Sequence, residues 1–131
     1  MSRRYLSQSE VEAAFRRNRS VECFLGYCSR DGRDGIRWLS ISSHINGVKL
    51  SLYESADLGS SEYIDLYSFG PLNEELELEN ADVELLFGDE SELFEWLDQN
   101  HPMATSRLVN QFVVQDEYLE YINNGRNGKN A

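Results

Sequence analysis

The stretch WLSISSHINGVKLSLYE, residues 38–54, decides the fold. It reads as two alternating runs on either side of Asn46-Gly47, a dipeptide that tolerates positive φ at both central positions of a type I′ hairpin turn. With a two-residue loop there, Ile45 opposes Val48, Ser43 opposes Leu50, Ile41 opposes Leu52 and Leu39 opposes Glu54. One face then collects nearly all the aliphatics, and Ser40, Ser42, His44, Lys49, Ser51 and Tyr53 share the other. A one-residue slip would exchange the two faces, so the pattern sets which side packs on the rest of the chain.

Upstream, Val21 to Cys28 (VECFLGYC) has the β-branched and aromatic content of a strand and runs into the turn-rich Arg30-Asp31-Gly32-Arg33-Asp34-Gly35. Before it, Ser7 and Glu10 form a capping-box pattern, and Val11, Ala14 and Phe15 make an apolar stripe, which predicts a helix over 8–18. Downstream, 56–61 is a loop. Residues 62–69 alternate as a strand, with Ile64 and Leu66 on one face and Tyr63, Asp65, Tyr67 and Phe69 on the other, and Gly70-Pro71 ends it. Residues 74–79 suit a strand edge, and Val83 to Phe87 a further short strand. Asp89-Glu90-Ser91-Glu92 caps a helix over 90–99 that stops before His101-Pro102. Residues 107–114 fit a helix or a strand, and 116–123 a last helical turn or two. The expected architecture is α+β: an antiparallel sheet with a type I′ hairpin at Asn46-Gly47, packed against two or three helices. It forms a single domain over 1–123, with a disordered polar tail over 124–131.

Charge is segregated along the chain. The formal net charge is −11, yet residues 1–49 carry a net of +4 and residues 50–123 a net of −17, with Arg107 the one cation in that second segment. From Glu62 to Asp98 there are thirteen carboxylates and neither lysine nor arginine. Such a segment repels nucleic acid and anionic lipid, because phosphate binding needs cations to replace counterions, and it attracts a basic protein. The plainer reading is an acidic surface that serves solubility. No apolar run approaches the ~18 residues that cross a bilayer, and MSRRYLSQSEVEAAF is not a secretory leader. Cys23 and Cys28 have opposite parity on one strand, which sends them to opposite faces unbridged, and free thiols without a leader point to the cytoplasm.

Chemistry finds little purchase. Cys23, beside Val21 and Leu25, reads as a buried small residue; Cys28, near Arg30 and Arg33, is a place for a lowered thiol pKa. Neither is set beside His44 or His101, which are 57 positions apart and supply no zinc set. EF-hand order and glycine-rich phosphate loops are absent, and Glu75, Glu77 and Glu79 share an exposed face with no flanking aromatic cleft for a sugar. The chain is therefore read as a binding protein, without catalytic residue, metal or cofactor.

Aromatic anchors beside carboxylates have the composition of a binding hot spot. The candidate partner-binding residues are Tyr63, Asp65, Tyr67, Glu74, Glu75, Glu77, Glu79, Asp82, Glu84, Asp89 and Glu90. The competing reading covers this sheet face with a helix and makes Phe69 and the tyrosines a second packing layer.

Size, charge, the hairpin-rich pattern and EYIDLYSFGPLNEE (62–75) followed by a carboxylate-rich strand and helix resemble the small cytoplasmic immunity proteins that neutralise bacterial nuclease toxins, including those of contact-dependent inhibition systems. The resemblance implies a general role, tight binding to a basic toxin domain by a monomer or weak dimer, and carries no residue-by-residue motif. The alternatives are a nucleic-acid-mimicking inhibitor, or a small-molecule-binding module or enzyme with a site on the hairpin face around Trp38, His44 and Tyr53.

Overall fold

The computed structural model describes residues 4–73, 75 and 81–126. The first helix, α1 (Gln8–Arg16), is set by its cap: Ser7 Oγ accepts the Glu10 N–H at 3.2 Å, and the Glu10 carboxylate accepts the Ser7 N–H at 2.9 Å. These reciprocal bonds satisfy two donors that the first turn otherwise leaves open. Val11, Ala14 and Phe15 are buried as the stripe predicts, and the helix stops earlier than expected, followed by Asn18 at φ 56°.

Strands β1 (Val21–Arg30), β2 (Arg33–His44) and β3 (Gly47–Ala56) form an antiparallel meander, flanked by β4 (Val83–Phe87) and a two-residue β5 (Val109–Asn110) in the order β4-β3-β2-β1-β5. Positive φ at both central turn positions occurs between β1 and β2, at Asp31 (53°) and Gly32 (79°), so the φ signs of a type I′ turn sit one hairpin earlier than expected. Asn46-Gly47 does lie at the β2–β3 turn, but there only Gly47 has positive φ and the closing pair is His44 with Gly47. The register is thereby shifted by two residues: Leu39 opposes Leu52, Ile41 opposes Leu50 and Ser43 opposes Val48. Because the shift is even, the division into faces survives, while Ile45 leaves the ladder and projects at the tip, 93% exposed.

A bulge at Leu25, between Phe24 and Gly26, changes the reading of β1. The extra residue reverses the alternation, so Cys23 (opposite Leu39) and Cys28 (opposite Gly35) lie on the same face of the sheet, not on opposite ones. Both are buried free thiols. Burial, with no compensating charge strong enough, pushes Cys23 up to about 12 and Cys28 up to about 11, Glu54 adding to the rise at Cys28. The lowered Cys28 pKa expected from Arg30 and Arg33 is therefore overturned. Both thiols should resist an aromatic disulfide reagent at about pH 8 in the native protein and react on unfolding; rapid native-state release of one equivalent of thiolate would contradict this.

Helix α2 (Glu90–Asn100) and α1 cover one face: Leu93, Phe94 and Leu97 join Val11, Ala14 and Phe15 over Val21, Cys23, Leu39, Ile41, Val48 and Leu50. Helix α3 (Val114–Asn123) covers part of the other, where Val114, Tyr118 and Tyr121 pack on Phe24, Ile36 and Trp38 together with Leu66 and Phe69. Both sheet faces are thus buried against other elements, at a gain of roughly 1.5–3 kcal/mol for each large side chain fully removed from water. The ambiguous 107–114 divides: β5 is followed by a turn at Phe112 and then by α3.

Residues 62–69 are not a strand. They fold as a turn closed by Ser60 and Tyr63, then a 3-10 turn over Leu66–Ser68. Ser68 Oγ bonds the Asp65 carbonyl at 2.8 Å, and Leu66 and Phe69 go into the core at i, i+3. Period-2 alternation is present in the sequence, but loop hydrogen bonds and burial of those two side chains prevail over strand pairing. No described helix is long and apolar enough to cross a membrane.

Candidate protein-binding surface

The structure separates the residues proposed as one surface. Tyr63 is 47% exposed, edge-on to Phe69 at 5.5 Å, and Asp65 is exposed beside it in the same loop. Tyr67 is half-buried and holds the loop down: its hydroxyl donates to Glu22 Oε1 at 2.5 Å, and its ring meets Trp38 edge-on at 5.2 Å. Phe69 is buried, so the packing-layer reading holds for Phe69 and Tyr67 and leaves Tyr63 and Asp65 outside.

Among the carboxylates, Asp82 is structural. Its Oδ2 accepts the Glu54 N–H at 2.8 Å, and Arg30 lies 3.7 Å from its Oδ1. Glu84 is exposed on β4 and pairs with Lys49 at 3.5 Å. Asp89 is the N-cap of α2, accepting the Glu92 N–H at 2.9 Å, with Glu90 in the first turn; the Glu92 carboxylate bonds the Gly88 N–H rather than that of Asp89. Glu75 is exposed, and Glu74, Glu77 and Glu79 lie outside the described residues.

The mildly basic first third is partly neutralised by the acidic segment: four of its eight described cations pair with it, while Arg16, Arg17 and Arg19 are exposed with no ion pair among the described residues. Arg4 pairs with Glu117 at 3.1 Å and Glu120 at 2.5 Å, Arg37 with Glu54, Arg30 with Glu54 at 3.6 Å, and Lys49 with Glu84. The acidic residues in no ion pair among the described residues include Glu62, Asp65, Glu75, Glu90, Glu95, Asp98 and Asp116. Glu95 and Asp98 were missed as candidates. The signal was available: they fall between the inward positions 93, 94 and 97 of α2 and so face solvent. Asp98 also stands in the last turn of a helix with no cation there, against the helix dipole.

A second missed residue is Glu22. It is 2% exposed and, among the described residues, has no cation beside it and accepts the Tyr67 hydroxyl and, at 2.8 Å, the Phe112 N–H. Burial raises its carboxyl above the ordinary value, while those two hydrogen bonds pull the other way. Its signal in the sequence is a single glutamate inside the apolar VECFLGYC, a local inconsistency of the sort that marks a special position.

Of the alternative site on the hairpin face, Trp38 and Tyr53 come together and His44 stays apart. Trp38 is buried and stacked on Tyr53 at 4.4 Å, whereas His44 is exposed six positions away at the strand end, its Nδ1 accepting the Asn46 N–H. His101 ends α2 through its backbone N–H to Leu97, with its ring 5.6 Å from Trp96 and its imidazole lowered by burial. No group of three metal-ligating side chains occurs among the described residues. The architecture is thus that of an α+β protein with an antiparallel five-stranded sheet. No family model, curated protein or solved structure matches the chain.

Proposed function

We propose that the chain is a protein-binding module that captures a basic partner through carboxylates its own fold leaves unpaired, acting as a cytoplasmic immunity protein against a basic toxin domain, in the first instance a nuclease. The observation that supports this reading is the outer face of α2. Glu95 and Asp98 are exposed and unpaired there, and Asp98 sits where a helix disfavours negative charge. Folding alone would favour a lysine at that position. Carboxylates so placed would meet the phosphate-binding lysines and arginines of a nuclease and raise the association rate by steering.

The test reads the genes beside this chain's own: a basic nuclease domain encoded there is purified and mixed with wild type and with the Glu95→Lys/Asp98→Lys variant in stopped flow, and a neighbourhood without a toxin gene counts against the reading. The variant should be at least as stable as wild type, since Asp98→Lys suits the helix end, yet associate on the order of tenfold more slowly at low salt. Above about 0.5 M salt the two rates should converge as screening shortens to a few ångströms. Association as fast at high salt as at low salt would remove electrostatic steering, and an unchanged variant would remove α2 from the interface.

A further inference from the structure

Phe112 combines two features that folding by itself disfavours. Its φ is +77°, the left-handed region that bulky L-residues avoid, and its side chain is 61% exposed. The other non-glycine residues with positive φ among the described residues are Asn18, Asp31 and Arg126. Asn and Asp tolerate that region through short polar side chains, and Arg126 is the residue after a helix-ending glycine. Phe112 has neither excuse.

The conformation is held from inside by main-chain contacts. The Phe112 N–H donates to Glu22 Oε1 at 2.8 Å and lies 3.1 Å from the Tyr67 hydroxyl, which itself donates to the same carboxylate. Glu22 is buried and paired with no cation among the described residues, so a desolvated carboxylate is being spent on fixing this turn. Any residue but proline would supply the same N–H at 112, and glycine or asparagine would do so at less backbone cost. The fold therefore accounts for the N–H and, beyond one edge-on contact with Tyr67, not for the phenyl ring. Strain of this sort, stabilised by its surroundings, is characteristic of recognition sites.

The ring stands in a setting that suits a partner. It meets Tyr67 edge-on at 5.7 Å, the exposed Asp65 is near enough to act on the Tyr67 hydroxyl, and the exposed Asp116 follows four residues on, in the first turn of α3. Beside the ring is a shallow cleft lined by Arg19, Ser20, Asn110 and Gln111. We propose that Phe112 is the apolar anchor of the partner interface, inserting into an apolar pocket on a basic protein whose cations engage Asp65 and Asp116. With the chain at −11, a second copy of itself is the wrong partner. The proposal rests on the basic-partner reading above and adds a second point of contact, away from α2 and beside the opposite sheet face.

The test places a photoreactive benzoylphenylalanine at position 112 of the full chain in its native host, with the equally exposed Leu58 as control position, and purifies whatever protein is captured. Its affinity is then measured for wild type, Phe112→Asn and Phe112→Gly, alongside the thermal midpoint of each. Capture from 112 and not from 58 of a protein basic at neutral pH, with affinity reduced at least tenfold in Phe112→Asn and midpoints equal to or above wild type, is the expected result. If both variants melt below wild type, the ring is structural and the proposal falls. Absence of capture at 112 also overturns it. A basic partner sensitive to Glu95→Lys/Asp98→Lys but indifferent to Phe112→Asn would sink the anchor and leave the proposed function standing; an acidic partner would sink both.

Discussion

Replacing Asp57 by alanine is expected to cost about 3–5 kcal/mol of stability, the range for removing one member of a buried ion pair. Asp57 sits in the loop after β3, and its carboxylate is 6% exposed. It accepts the Tyr118 hydroxyl and the Arg126 Nε, the latter at 2.9 Å, while Arg126 Nη2 also donates to the Gly59 carbonyl at 2.7 Å. Tyr118, itself fully buried, receives the Gly59 N–H at 2.9 Å. One carboxylate therefore ties α3, the residues after it and the loop at 57–59 into a single latch. Alanine strands a partly buried guanidinium and a buried phenol together, and the second loss adds to the first. Asp57→Asn keeps an acceptor for Tyr118 while removing the charge that Arg126 faces, so it should lose roughly half as much. Urea denaturation of both variants measures the difference; a loss near zero in Asp57→Asn would mean that the charge at Asp57 contributes nothing, and equal losses that the retained acceptor contributes nothing.

Gly47→Ala should be nearly as damaging, for a reason of shape. Gly47 has φ +137°, and a Cβ there would overlap the Phe87 carbonyl oxygen and come within 3.0 Å of that of Gly88. Those atoms are backbone at the end of β4 and cannot swing aside, so either the β2–β3 turn or the β3–β4 pairing must open. A loss of about 2–4 kcal/mol follows from the strained conformation and the clash combined. Gly32→Ala is the control. Its φ of +79° is also strained, but nothing lies within 4 Å of its Cβ direction, so only the conformational cost of about 1–2 kcal/mol remains. Thermal midpoints that fall equally in the two variants would show that the close approach of β4 is unimportant.

The contrast at Gly47 also shows how the sequence was legible and where it was not. Asn46-Gly47 marks a turn correctly because turn propensity is local, but the pairing partner of each strand residue is settled by what lies beside it. Here Gly47 is required by a carbonyl forty residues downstream, and the register follows that contact, not the I′ preference of the dipeptide. Asp31-Gly32, read only as part of a turn-rich loop, takes the positive φ values instead. The 62–69 stretch failed for the complementary reason. Its alternation is real, yet the segment joins no strand of the sheet, and Leu66 and Phe69 enter the core under α3 instead.

The candidate surface was partly legible in the same sense. Acidity of the segment 50–123 follows from counting residues, and the outward positions of α2 follow from helical spacing. Which carboxylates remain free does not, because Arg4, Arg30, Arg37 and Lys49 reach Glu117, Glu54, Asp82 and Glu84 only after the chain has folded. The bulge at Leu25 similarly reversed the faces assigned to Cys28 by adding one residue to a period of two.

The sequence by itself determined the class of fold, the two capped helices, the face division of the central hairpin and the net sign of the surface. All of these depend on residues within about ten positions of one another or on composition alone. Only the tertiary structure decided the register, the cysteine faces, the residual charges and the exposure of Phe112 on its buried glutamate. Each of those depends on groups brought together from distant parts of the chain, where packing and desolvation outweigh local preference.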